Sequence, residues 1–284
     1  MSARLARCKR IGGWLAALGF LLAPPVFGQQ EVQPYATVPK VDWYYAASFG
    51  TGQYQAGERT VSVLRVPAGW DLGTWRETEV NVRLLAPITI GAIDFDLDDV
   101  LDDPLDSVAL MTFTPGVEFQ LPVRDDWMLR PFAFAGGGVE FDGDDRAWIY
   151  SLGLSARRQL PCERVRCTLG LALTWAGYNS SDRGKDDVSS VSMGLDFVFS
   201  GQVNAFDRGL HPGLFLLYRN FLSDFAFIFD PLGVEPLSSE WELGFSFTAD
   251  RPFSVFGYRF ERLGLSYRRS GNLKGIHFTG QFPF

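Results

Sequence analysis

The 284-residue sequence is poor in the residues that carry most enzymatic and metal chemistry, with two histidines, three cysteines and four methionines. Two imidazoles and scattered thiols leave little from which to build a metal centre, and no cofactor or metal is expected. Positive charge is scarce too: 26 Lys and Arg stand against 33 Asp and Glu, a formal net charge of −7. That balance argues against a nucleic-acid partner, because phosphate backbones demand concentrated Lys and Arg. After residue 28, no apolar run reaches the roughly 18 residues that a membrane-crossing helix needs. Phenylalanine is what the chain has in quantity, 25 residues, a bias toward β structure rather than helical bundles. Length alone suggests two domains at about 150 residues each, yet all-β barrels of this size fold as one.

The chain opens with Arg4, Arg7, Lys9 and Arg10, then an apolar run over 11–22, then Val26-Phe27-Gly28. A basic start, a short apolar stretch and small residues at a cleavage site describe a secretory signal peptide over 1–28. As a helix, about 12 apolar residues cannot cross a ~30 Å hydrocarbon core. Cleavage removes four positive charges and Cys8, taking the net charge from −7 to −11. An exported chain meets an oxidising compartment, so Cys162 and Cys167 are expected to pair, with two free thiols as the alternative. Residues 29–42, with Pro34 and Pro39, form a short N-terminal segment.

The rest of the chain alternates with period 2, the mark of strands with one apolar and one polar face. Trp241, Leu243, Phe245 and Phe247 alternate with Glu242, Gly244, Ser246 and Thr248. Val191, Met193, Leu195 and Phe197 alternate with Ser192, Gly194 and Asp196. The same pattern runs through 80–88, 111–121, 148–157, 165–175 and 276–284, and more weakly through 43–50, 59–67, 127–141, 212–221 and 260–269. Soluble sandwiches alternate as well, but their strands average about five or six residues and their outer faces carry more charge. Here the polar faces are rich in Gly, Ser and Thr, which suits an enclosed interior. In lipid every backbone group must be paired, so strands span only as a closed barrel. The expected fold is therefore all-β: a closed antiparallel transmembrane barrel of about twelve strands over 43–284. Ten or fourteen strands, or a soluble exported β protein, are the alternatives. If the chain ends at the periplasmic rim, the long acidic connection over 92–107 and the polar one over 178–187 are external.

The terminal strand GIHFTGQFPF, with Phe278, Phe282 and Phe284, resembles the C-terminal assembly signal of Gram-negative outer-membrane barrels. The stretch FTPGVEFQLPVRDDWMLRPFAFAGGG (113–138) resembles autotransporter-type barrels, in particular the solitary autotransporter-like domains that lack a passenger. The likeness covers roughly 43–284. It implies an outer-membrane location among lipids and lipopolysaccharide, and insertion by the barrel-assembly machinery reading the strand that ends at Phe284. Only 29–42 separates the signal from the first expected strand, so no passenger is expected, and with two prolines no pore helix.

Parity places Glu79, Arg83, Glu118, Arg157, Arg166, Asp196, Glu242, Arg268 and His277 on the inward faces. Apart from the histidine, four are acidic and four basic. Such charges either pair across neighbouring strands or line a weakly selective water path. Inward glycines, among them Gly116, Gly153, Gly244 and Gly264, leave room for large side chains or water. No enzymatic activity is expected; the expected role is a structural or surface barrel, or a small pore. An outer-membrane acyl hydrolase is the alternative enzyme. Its His-x-Ser-Asn pattern is absent, although His277 and Thr279 share a face and a hydroxyl can be activated by an imidazole. His211, beside Pro212 and Gly213, is expected in a turn. The aspartates of 94–106 lack the Gly-interrupted spacing of a calcium loop and are expected to form a solvated loop.

Overall fold

The computed structural model describes residues 40–41, 43, 50–56, 59–75, 79–93, 110–141, 143–205, 207–225, 228–229, 237–255, 258–271 and 273–280. The signal segment, the acidic connection 94–106, Phe282 and Phe284 lie outside the described residues.

The described residues form eighteen strands. The first seven are β1 (Lys40–Val41), β2 (Thr51–Ala56), β3 (Arg59–Val66), β4 (Gly69–Thr74), β5 (Asn81–Leu85), β6 (Ile88–Ile93) and β7 (Leu110–Phe113). β8 (Gly116–Arg124), β9 (Trp127–Glu140), β10 (Arg146–Leu160), β11 (Val165–Ser180) and β12 (Gly184–Phe199) follow. The chain then forms β13 (Val203–Ala205), β14 (Arg208–Phe225), β15 (Ile228–Phe229), β16 (Leu237–Val255), β17 (Tyr258–Ser270) and β18 (Leu273–Thr279). β1 pairs with β15, and the other sixteen make one sheet. That sheet is a closed, antiparallel, twelve-stave barrel. Three staves are divided at prolines into two strands each, β3 with β4, β5 with β6, and β7 with β8, and the short β13 continues the β12 stave along β14. β9 pairs with β10 on one side and with β7 and β8 on the other, while β18 pairs with β2 to close the ring.

The three divided staves break at neighbouring points, Pro67, Pro87 and Pro115. Proline has no N–H to give to a ladder, yet the pairing carries on across the crease through other groups. Ala86 N–H donates to the Ala68 carbonyl at 2.8 Å, Thr114 N–H to Pro87 at 3.3 Å and Ala135 N–H to Pro115 at 3.0 Å. At the β11–β12 hairpin the chain reverses through Gly184 with φ +75°, a left-handed conformation that an L side chain resists.

Most of the strand expected at 43–50 lies outside the described residues; the first described stave is β2 at 51–56. Trp43 belongs to no strand and is fully buried within the ring.

The long staves put apolar side chains outside. Leu243, Phe278 and Trp148 are 61%, 60% and 57% exposed, whereas Glu240 and Ser246 are fully enclosed. The interior is not uniformly polar. Toward the rim formed by the connections after β9, β11 and β14, here the loop rim, it holds a buried apolar cluster that includes Trp43, Tyr54, Val61, Ile149, Tyr178 and Phe221.

Candidate functional site in the barrel interior

At the loop rim, Trp43 fills the mouth. Its ring lies over Gly138, where an added Cβ would come within 2.5 Å of it. Its indole N–H donates to Asp145 Oδ2 at 3.0 Å, and the Arg183 guanidinium sits 5.4 Å from the ring centroid. Asp145, in the connection between β9 and β10, also accepts from the Ser180 hydroxyl at 2.6 Å and the Ser181 hydroxyl at 2.9 Å. Arg183 reaches Asp145 at 3.3 Å and Glu140 at 3.0 Å. Burial pushes the Asp145 carboxyl up, but the donors from Ser180, Trp43 and Ser181 and the charge of Arg183 outweigh it and hold the group below the ordinary carboxylate range.

Below this plug, β16, β17 and β18 face one another with a second set. Arg268 bridges Glu242 at 2.7 Å and Glu240 at 3.5 Å, and Arg219 reaches Glu240 at 3.2 Å. His277 Nδ1 is 3.0 Å from Glu242 Oε1 and 3.3 Å from Ser266 Oγ. Serine, histidine and glutamate thus meet, but not in the order that hydrolysis needs. Ser266 donates to Glu242 at 2.6 Å, so its proton is directed at the carboxylate. Serine and glutamate share one imidazole nitrogen, while Nε2 faces Gly50, where a Cβ would lie 1.8 Å from it. A working triad uses both nitrogens, one for the nucleophile and one for the acid. Thr279 lies on the same inward face, buried.

Toward the opposite rim, Asp196 pairs with Arg262, and Glu118 with Arg130 and, at 3.3 Å, with Arg83. Arg83 also meets Asp71 at 3.0 Å. Arg157 is on the inward face of β10, in the field of Arg130, Glu118, Arg83 and Asp196.

The structure therefore brings Arg83, Glu118, Arg157, Asp196, Glu242, Arg268 and His277 into the interior. Two expected lumen residues are corrected. Glu79 is exposed in the connection before β5, and Arg166, although it shares parity with Thr168, is exposed at the rim. Parity fixes the face of a strand but not the depth along it. His211 lies in β14 rather than in a turn, its Nε2 2.8 Å from Asp250. Phe278 points outward, and Cys162, in the turn between β10 and β11, is bonded to Cys167 near the start of β11, with their Cα atoms 6.1 Å apart. Inward glycines are filled by rings from neighbouring staves: Phe134 over Gly116, Phe132 over Gly153 and Phe215 over Gly244. Sequence reasoning missed Trp43, Arg130, Asp145, Arg183, Arg219, Glu240 and Arg262. For Glu240 and Arg262 the signal was present, since they share parity with Glu242 and Arg268.

With this geometry established, comparison with solved structures finds the same fold. The chain is similar to the crystal structure of the β-domain of the Bordetella autotransporter BrkA, with a TM-score of 0.54, 13% identity, and coverage of 80% of this chain and 93% of that one. The barrel fits an autotransporter-like domain. No protein-family model and no curated protein matches the chain.

Proposed function

We propose that this protein is an integral outer-membrane barrel with a closed lumen, exported by a cleaved signal peptide, with a structural or surface role. The observation that carries the reading is the inverted distribution of side chains, with exposed Leu, Phe and Trp outside and ion pairs sealed within. Staves such as β11, with 16 residues, exceed the roughly 9–11 that a tilted strand needs to cross a bilayer. Aromatic belts support the same placement. Tyr150 and Trp175 meet with ring centroids 5.1 Å apart, and Tyr218 and Trp241 with centroids 4.5 Å apart, both pairs tilted and toward the loop rim. Trp127 lies under the Arg158 guanidinium at 5.5 Å near the other rim. The outer surface then contacts outer-membrane lipids and lipopolysaccharide, and the barrel-assembly machinery reads the terminal strand. The apolar cluster around Trp43 and the charge pairs below it support a plugged barrel rather than an open pore. The arrangement of Ser266, Glu242 and His277 offers no activated nucleophile, and we assign no enzymatic activity.

Cold and boiled SDS gels of the membrane fraction, with conductance in liposomes, test this. The folded chain is expected to change mobility on boiling and to show no steady conductance. W43A should then conduct, at a stability cost of about 3–5 kcal/mol for truncating a buried Trp. An unshifted band, or a chain in the aqueous fraction without detergent, overturns the membrane reading; an open wild-type channel overturns the closed lumen.

A further inference from the structure

We propose that the mid-lumen cavity is a binding site for a single neutral sugar ring. The cavity has a volume of about 290 Å³ and extends from the proline crease to the wall formed by β10, β11, β12 and β14. Charged groups on its lining are set against partners within the barrel: Glu118 takes Arg130 and, at 3.3 Å, Arg83, while Arg219 takes Glu240 at 3.2 Å. Arg65 and Arg157, which also line the cavity, are engaged as well. Recognition therefore falls to neutral groups, and the far wall supplies hydroxyls. Ser155 of β10, Ala172 of β11 and Ser192 of β12 stand side by side, since Ala172 is opposite Ser155 in one ladder and opposite Ser192 in the next. Strand spacing puts the two serines roughly 10 Å apart, with a methyl group between them. Both serines are buried, and Thr174 lines the cavity two residues farther along β11.

Among the described residues, the hydroxyls of Ser155 and Thr174 have no protein partner. The Ser192 hydroxyl accepts from Arg219 Nε at 3.2 Å and keeps its own proton to give. These groups invite a partner inside the cavity, because buried polar groups in folded proteins are hydrogen-bonded. A wall hydroxyl donates once and accepts twice, and a sugar hydroxyl does the same, so each satisfies the other. An anion brings acceptors alone, and a hydrocarbon brings neither. The β9 side of the cavity selects a ring. Phe132 and Phe134, with centroids 5.7 Å apart and planes tilted by 56°, form an apolar surface that Leu217 joins. The two aromatic rings cannot swing far, because Phe134 rests in the notch at Gly116 and Phe132 in that at Gly153. A sugar has the matching pair of surfaces, hydroxyls around its edge and C–H groups on its face. A volume at the low end of the range for ligand pockets admits one such ring.

The site does not depend on where the barrel resides, so its failure and that of the membrane reading are separable. The test uses the full chain in a detergent without a sugar headgroup, its β structure verified by circular dichroism. Calorimetric titrations use glucose, galactose and mannose, then glucuronate and cyclohexanol. At least one neutral sugar is expected to bind saturably at one site. S155A and T174V are each expected to weaken it by about threefold to tenfold, the scale of one lost neutral hydrogen bond. T174V keeps the side-chain volume and provides the reading alone if S155A fails to fold. Cyclohexanol, a ring with one hydroxyl, should bind more weakly than the sugar, and glucuronate, a sugar with a carboxylate, no more tightly. The proposal is overturned if no neutral sugar binds saturably to the folded wild type, or if the folded variants bind like wild type. Cyclohexanol binding as tightly as the sugar, or glucuronate binding more tightly, overturns it as well.

Discussion

Asp145 shows how one side chain can hold a plug in place. It is buried at the loop rim, yet donors from Trp43, Ser180 and Ser181 and the nearby Arg183 keep it ionised below the ordinary carboxylate range. The folded protein therefore binds a proton at this carboxyl less readily than the unfolded chain does. The resulting stabilisation is complete above the unfolded carboxylate value, about 4, and is lost as the pH falls through that value toward the lower folded one. Denaturation measured from pH 7 down to about 3 should show this loss in the wild type. D145N should be less stable at pH 7 by about 1–3 kcal/mol, the cost of a weakened buried hydrogen-bond set, and should lose less of what remains on acidification. Parallel pH profiles for the two proteins would exclude Asp145 as the source.

Between elements, a buried charge cluster couples β16 to β17. Arg268 sits between Glu240 and Glu242, all three buried, so removing the cation leaves Glu240 to Arg219 and Glu242 to Ser266 and His277, two buried carboxylates short of the charge they shared. R268M should cost about 3–5 kcal/mol, and E242Q in that background should restore part of it; additive effects in a double-mutant cycle would show that the pair is not coupled. These residues also mark how far the sequence could be read. Glu242, Arg268 and Asp196 were legible because they fall on the polar phase of strict alternation in strong strands, where a polar residue on the enclosed face has one place to go. Arg130 and Arg219 were not, since Pro131 and Pro212 weaken the strands that carry them. Glu79 and Arg166 were misplaced because alternation carries no information about depth. Trp43 was beyond reach of any local pattern: its hydrogen-bond partner Asp145 is 102 residues away.

For the whole molecule, closure of the ring depends on its shortest stave. β2 has 6 residues, while β11 and β12 have 16 each. It joins β18 from Leu273 opposite Ala56 to Phe278 opposite Thr51, and its other edge meets β3 from Gly52 to Ala56. Beyond that ladder, the Thr51 hydroxyl donates to the Arg65 carbonyl at 2.9 Å and accepts from Arg65 N–H at 3.0 Å, so a side chain continues the seam where the strand ends. A barrel is free of open edges only while every seam holds, and regions with few hydrogen bonds open locally at lower free energy than the rest. Hydrogen exchange on the folded barrel should therefore find the amides of β2 and β18 exchanging about tenfold or more faster than those in the middle of β11 and β12, a difference of about 1.4 kcal/mol in opening free energy. T51V, which removes the hydroxyl from the seam, should widen that gap without altering exchange in β11. Uniform protection around the ring would mean that the barrel opens only as a single cooperative unit, and that the short stave is no weak point.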